Sequence, residues 1–214
     1  HTGTDKGTID DVWGSPGVVL MNEAGEPLEH PIFGRDPQVT TRIAPSNFGA
    51  LWANELFWDG RASSEFVDPL TGDVAIASGG ALENQALAPL TNPTEMTRPN
   101  RAWDELTEKL KGVRPLALAR NLPADVSNAI ESNPDYPSLF QAAFYDPEIT
   151  PVRIAFAIAT YERTLVADQT PWDLYMAGDE TALTEQAAFG WRAFQRLHCV
   201  NCHEPPLFTS NDFL

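Results

Sequence analysis

Five consecutive residues, Cys199-Val200-Asn201-Cys202-His203, constrain this chain more than any other stretch of it. They contain its only two cysteines, so a disulfide framework is excluded and the pair must be read locally. Two thiols three positions apart on one turn can each form a thioether with a vinyl group of the same porphyrin. The imidazole of the next residue then reaches the iron as its proximal ligand. Such attachment holds a haem even in a small core, and the axial histidine helps set the iron's potential. Two other readings stand beside this one. A structural zinc site needs four protein ligands, which would have to include His198 or carboxylates. A thioredoxin-type pair opens a helix after a strand, whereas here a helical run precedes the motif and Pro205-Pro206 follows it. Haem attachment is the reading the surroundings favour.

The run before the motif has the marks of a helix. Thr184 is placed as N-cap with Glu185 in the first turn, and Ala187, Trp191 and Phe194 form the stripe expected to be buried. Gly190 offers a site for close helix contact, and Phe194 an aromatic wall near a porphyrin. Helical spacing extends upstream through the second half of the chain. Trp103, Leu106 and Leu110 define one helix. Pro123 opens another through Val126 and Ile130, and Pro137 a third with Phe140 and Phe144. From Pro151, the residues Ile154, Ile158, Tyr161 and Leu165 share one face, before Thr170-Pro171 breaks the pattern. The first hundred residues, rich in Gly, Pro, Asn and Asp, read as turns and loops. No β-alternation of useful length and no internal repeat is evident. The expected class is mainly α with long ordered loops.

At 214 residues the chain has room for one large domain or two small ones. Its 14 basic residues against 30 acidic ones give a formal charge of −16. That balance argues against nucleic-acid binding, which needs a basic surface. It suits a protein that meets cationic partners or works in salt, although plain solvation of the surface accounts for it equally. No apolar run approaches the roughly 20 residues of a membrane span. The chain opens at His1 rather than at a methionine and stops abruptly at Leu214, so it is expected to be a piece of a longer protein.

Three blocks give the sequence a family resemblance. The first runs from Arg42 to Arg61, with Ala44-Pro45-Ser46-Asn47 and Phe57-Trp58-Asp59-Gly60-Arg61. The second, Leu82 to Met96, holds Gln85-Ala86, Pro89-Leu90, Asn92-Pro93 and Glu95-Met96. The third, Tyr161 to Phe208, holds Glu162-Arg163-Thr164-Leu165, Pro171-Trp172-Asp173, the cysteine motif and Pro206-Leu207-Phe208. In this order they resemble the bacterial di-haem cytochrome c peroxidases and their methylamine-utilisation relatives. The resemblance implies two cytochrome c-like haem domains. The first is expected over residues 1–168 and lacks its upstream part; the start of the second is expected over 169–214. It implies two covalent haems c, one reacting with hydrogen peroxide and one receiving electrons from a small cytochrome c or cupredoxin. The haem of Cys199, Cys202 and His203 would be the electron-entry one. Trp58 would relay electrons between the haems, and Gln85 and Glu95 would line the distal side of the first. A carboxylate can move the proton that peroxide cleavage requires, and an amide can orient peroxide without changing charge. Plainer readings are a core Trp58, a solvated Gln85 and a helix-start Glu95.

The sequence departs from the family pattern in places. No second C-x-x-C-H is present, and His1 is expected to be the iron ligand that ends the missing motif; the plain alternative is a frayed terminus. His30 is either a distal ligand of the same iron or an ordinary loop histidine. Ile43 stands where many relatives carry a calcium-binding Asn, which puts calcium in doubt. Ala88 replaces a common Gly and Asn84 a common Glu, and the loop from Ser63 to Gly80 is longer than usual. A periplasmic location is expected, since c-type haem is attached outside the bacterial cytoplasm, and a homodimer is among the expectations. Rival functions are a related di-haem enzyme that oxidises a partner protein or organic molecule, a plain electron carrier, and a zinc-stabilised interaction domain. The acidic charge generates one prediction: turnover with a basic donor falls as ionic strength rises. Steady-state rates across a salt series check it, and a rate indifferent to salt would count against it.

Overall fold

The computed structural model describes Ile9 and residues 12–210. His1 lies outside the described residues. The described chain is mainly α-helical, with seven α-helices and four short strands. The helices expected in its second half form where their end signals lie. Helix α2, Trp103–Gly112, carries Asp104 and Glu105 in its first turn and Lys109 and Lys111 in its last, both matched to the helix dipole. Helix α3, Ala124–Ser132, follows Pro123. Helix α4, Tyr136–Phe144, opens with a reciprocal cap between Asp135 and Ser138. The hydrogen bonds from Ser138 hold the Asp135 carboxyl below its ordinary range. Helix α5, Pro151–Glu162, starts where Thr150 Oγ1 accepts from Arg153 N at 3.2 Å. Leu106, Phe140, Ile149, Ile154 and Ala155 from these segments meet Phe66 and Leu87 in one apolar core.

The buried face of α5 is only partly the one its large residues mark out: Ile154 is buried and Ile158 packs against the core. Tyr161 is 65% exposed and Leu165 lies beyond the helix. The fully covered positions are Pro151, Ile154, Ala155, Ala159 and Glu162. Two of these are alanines, and a second helix lies close beside α5. That helix is α1, Ala81–Leu87, which packs along α5 and is buried at five of its residues. It falls in the half of the chain read as loops, and the reason is its length. Seven residues make two turns, too few for a periodic pattern to show, and a helix covered on most sides has no polar stripe.

The rest of the first half is ordered by close backbone approaches. Strand β1, Pro16–Val19, pairs antiparallel with β2, Pro37–Val39, Pro16 facing Val39 and Val19 facing Pro37. Gly14 must be glycine here, since a Cβ would stand 1.8 Å from the Thr40 carbonyl oxygen. The Ser63–Gly80 stretch folds as a second hairpin, β3, Phe66–Val67, against β4, Val74–Ile76. Asn84 anchors it, donating from Nδ2 to the carbonyls of Ser63 at 2.8 Å and Glu65 at 2.7 Å. Strands of two to four residues are too short for alternation to be read in sequence.

Charge fastens the α1–α5 contact at its end. Glu83 of α1 is 3% exposed and accepts a two-pronged bond from Arg163, Nη1 to Oε1 at 2.6 Å and Nη2 to Oε2 at 2.9 Å. Beside it Glu162 is buried, and its Oε2 has no hydrogen-bond partner among the described residues. Burial pushes the Glu162 carboxyl above its ordinary 4.5; nearby Glu83 adds to the rise and Arg163 opposes it. The folded state therefore holds this proton more tightly than the unfolded chain does. At low pH Glu162 is neutral and its ionisation imposes no penalty, and stability declines as pH climbs through 4.5 and beyond. The variant Glu162→Gln is expected to be more stable than the parent at pH 7 and no more stable at pH 4. Urea unfolding at the two pH values measures the difference.

Candidate functional site

The cysteine motif is held by two helices and an aromatic cluster. Helix α6, Pro171–Met176, is capped by Thr170 and Asp173, the Thr170 N–H donating to Asp173 Oδ2 at 2.8 Å. The bonds from Thr170 hold the Asp173 carboxyl low. Helix α7, Glu185–Arg196, is capped by Thr184, as expected. The chain then turns through His198, at φ 61°, into a single 3-10 turn over Cys199–Asn201. The N–H groups of Cys202 and His203 both donate to the Cys199 carbonyl, at 3.3 and 3.0 Å, which folds the motif onto one turn. Both thiols are free, Cys199 half-buried and Cys202 exposed. His203 Nδ1 lies 3.0 Å from the Phe208 carbonyl oxygen, so it carries the proton and donates it there. That tautomer leaves Nε2 as the free acceptor, the arrangement that orients a metal-binding imidazole.

The stripe of α7 differs from expectation. Trp191 and Phe194 are half-buried, but Ala187 is exposed and no residue of the helix is fully covered. Nothing lies within 4 Å of where a Cβ of Gly190 would stand, so this glycine mediates no close contact among the described residues. Trp172, Trp191, Phe194 and Phe208 pack against one another, Trp172 edge-on to Trp191 at 4.7 Å between ring centres. Phe194 stands 6.2 Å from the His203 ring. The Trp172 indole N–H is buried without a hydrogen-bond partner among the described residues. Two free thiols on one turn, an imidazole with Nε2 free and an aromatic wall beside it fit a covalently attached haem c.

A second site assembles in the first half of the chain. A cavity of about 270 Å³ is lined by Gln85, Glu95, Arg42, Arg61, Phe57 and Met96, among others. Gln85 comes from α1, and Glu95 from the turn in which its N–H donates to the Asn92 carbonyl at 3.0 Å. Arg42, just past β2, donates from Nη1 to Glu95 Oε1 at 2.8 Å. Arg61 lies over the Phe57 ring, 3.7 Å from its centre, and pairs with Asp59 at 3.0 Å. The structure thus brings Gln85 and Glu95 together and places Glu95 in a turn rather than at a helix start. Trp58 does not line this cavity. It is 89% exposed on the turn closed by Leu56 N–H to the Ala62 carbonyl at 2.9 Å, so it is no core residue either. Arg42 and Arg61 were not singled out by the sequence reading; no spacing rule links Arg42 to a carboxylate 53 positions away.

The remaining candidates have local explanations. His30 Nδ1 accepts from the N–H groups of Ile32 at 3.1 Å and Phe33 at 3.3 Å, the work of a turn histidine. Among the described residues no three His, Cys, Asp or Glu side chains gather as a metal site, and no helix is long and apolar enough to cross a membrane.

Comparison with known proteins shows what the chain is similar to. A family profile described as di-haem cytochrome c peroxidase matches residues 21–181, a stretch that contains Trp58, Gln85 and Glu95 and ends before Cys199. The methylamine utilization protein MauG of Methylophilus methylotrophus is 30% identical over 175 residues, covering 80% of this chain and 40% of the relative. Cytochrome c peroxidase Ccp of Escherichia coli K12 is 30% identical over 160 residues, 75% of this chain and 26% of the relative. Cytochrome c551 peroxidase of Nitrosomonas europaea is 30% identical over 150 residues, 70% of this chain and 33% of the relative. The chain spans less than half the length of each of these proteins.

Proposed function

The chain belongs to the di-haem cytochrome c peroxidase family, and on that footing we propose that it is part of an enzyme reducing hydrogen peroxide to water with electrons from a small redox protein. The observation that carries this reading is the meeting of Gln85 and Glu95 in one cavity. The family implies haem c. Cys199 and Cys202 would hold one haem through thioethers and His203 would bind its iron through Nε2, as the electron-entry centre; His1 would serve the other iron. Bound haem supplies the electrons, two of which with two protons convert one peroxide to two waters.

The chain's own residues do the rest. Glu95 Oε1 is engaged by Arg42, and Oε2 is the atom that takes a proton from one peroxide oxygen and returns it to the other, so that water leaves. The Gln85 amide donates to and accepts from peroxide and fixes its orientation without adding charge. The largely apolar walls from Phe57 and Met96 limit competing water. Trp58, with its ring uncovered by the rest of the described chain, is free to stand between two cofactors as a relay. The division into domains near Asp168–Pro171 is supported by the new start at the Thr170 cap and by the separate aromatic cluster that follows it. A periplasmic location and a small cytochrome c or cupredoxin donor complete the reading.

Two expected outcomes follow. In the full-length protein, Cys199→Ser with Cys202→Ser lowers the covalent haem count by one, read by pyridine haemochrome absorbance and intact mass. Glu95→Gln, which keeps the shape but not the proton affinity, lowers peroxide turnover by roughly 10²- to 10⁴-fold with haem content unchanged; stopped-flow assay with hydrogen peroxide checks it. Turnover equal to that of an active parent would remove Glu95 from the chemistry, and a parent without peroxide turnover would leave the electron-carrier reading in its place.

A further inference from the structure

We infer that Arg42 is a positioning residue, anchoring one oxygen of the Glu95 carboxylate so that the other is presented to the peroxide in a fixed direction. The inference rests on the reading of Glu95 as the proton-transfer group. Its geometry is independent of that reading.

Arg42 is itself fastened at the backbone. Its carbonyl accepts from Ser15 N at 2.8 Å and from Thr40 Oγ1 at 3.0 Å, and its N–H donates to Thr40 Oγ1 at 3.2 Å. Two residues on, Ala44 N donates to Ser15 Oγ at 2.8 Å. The same β1–β2 hairpin abuts the Glu95 turn. A Cβ on Gly17 would stand 3.2 Å from the Glu95 carbonyl oxygen and 2.7 Å from Thr40 Cγ2. Backbone and side chain of Glu95 are therefore both held against one small sheet.

The guanidinium bonds Oε1 alone, and Oε2 makes no hydrogen bond among the described residues. Glutamate has three rotatable side-chain bonds, so without an anchor its carboxylate would sweep a wide arc. Proton transfer needs a heavy-atom separation near 2.6–3.2 Å, and misplacement by about 1 Å can cost on the order of 100-fold in rate. The pair contributes little to stability: the side chain of Arg42 is 48% exposed and that of Glu95 22%, the setting in which ion pairs stabilise weakly. It contrasts with Glu83–Arg163, where the carboxylate is buried. An ion pair that adds little to stability and joins the cavity's carboxylate to a rigid hairpin serves orientation.

The test uses the full-length, haem-loaded protein. Arg42→Ala is expected to lower kcat/KM for hydrogen peroxide about 100-fold, with the haem spectrum and melting temperature unchanged. Arg42→Lys should recover most of the loss. Millimolar methylguanidinium should restore Arg42→Ala at least tenfold and leave Glu95→Gln untouched, a response that a structural role would not give. Loss in Arg42→Ala with no recovery by lysine or methylguanidinium overturns the inference, as does a rate within twofold of the parent while Glu95→Gln is inactive. If Glu95→Gln is itself fully active, the role of Glu95 fails first, and that of Arg42 with it.

Discussion

The contact of α1 with α5 is the constraint on which the first site depends. Ala155 and Ala159 of α5 are wholly buried, and α1 packs along the same helix. At one end of that contact Glu83 is clamped by Arg163, whose Nη2 also reaches the Gly79 carbonyl at 3.3 Å. Removing one partner of a buried ion pair costs about 3–5 kcal/mol, because the other charge is left uncompensated. With Arg163 partly exposed, the cost here lies below that range. Two residues after Glu83, on the same short helix, stands Gln85. The clamp that fixes α1 thus fixes the amide that faces the cavity.

The cavity has a second, independent support. Glu95 hangs from a turn braced by the β1–β2 hairpin, while Gln85 rides on a helix pinned to α5. Neither element reaches the cavity through the other. Their meeting gives a polar pair in a mainly apolar pocket, the usual make-up of a small-ligand site. The turn from Leu56 to Ala62, ahead of α1 in the chain, contributes Phe57 and Arg61 to the wall and carries Trp58 away from it. One short loop therefore serves both the pocket and the surface.

The cysteine motif is organised differently. Its geometry is nearly all local: a capped helix, a left-handed residue, one tight turn and a histidine bonded to a carbonyl five residues on. Yet α7 has no fully buried residue, and its aromatic side chains cover one another more than they are covered. A porphyrin fixed at Cys199 and Cys202 would supply the apolar area that the described chain lacks at this point, which is how a covalent cofactor can serve as part of a core.

Sequence by itself determined whatever is settled within a few residues. Thr184 and the proline starts of α4 and α5 were legible because capping and helix-start preferences act over three or four positions. The cysteine motif was legible because its two thiols and its histidine lie on one turn. The family blocks made Gln85 and Glu95 candidates, although nothing in their spacing says that they meet. Tertiary structure alone decided that they share a cavity, that Arg42 holds Glu95, that α5 buries Ala155 and Ala159 while Tyr161 stays exposed, and that α1 is a helix at all. Those outcomes depend on side chains some 53 to 80 positions apart, and periodicity carries no information about partners at that range. Packing and charge pairing select them only when the whole chain closes.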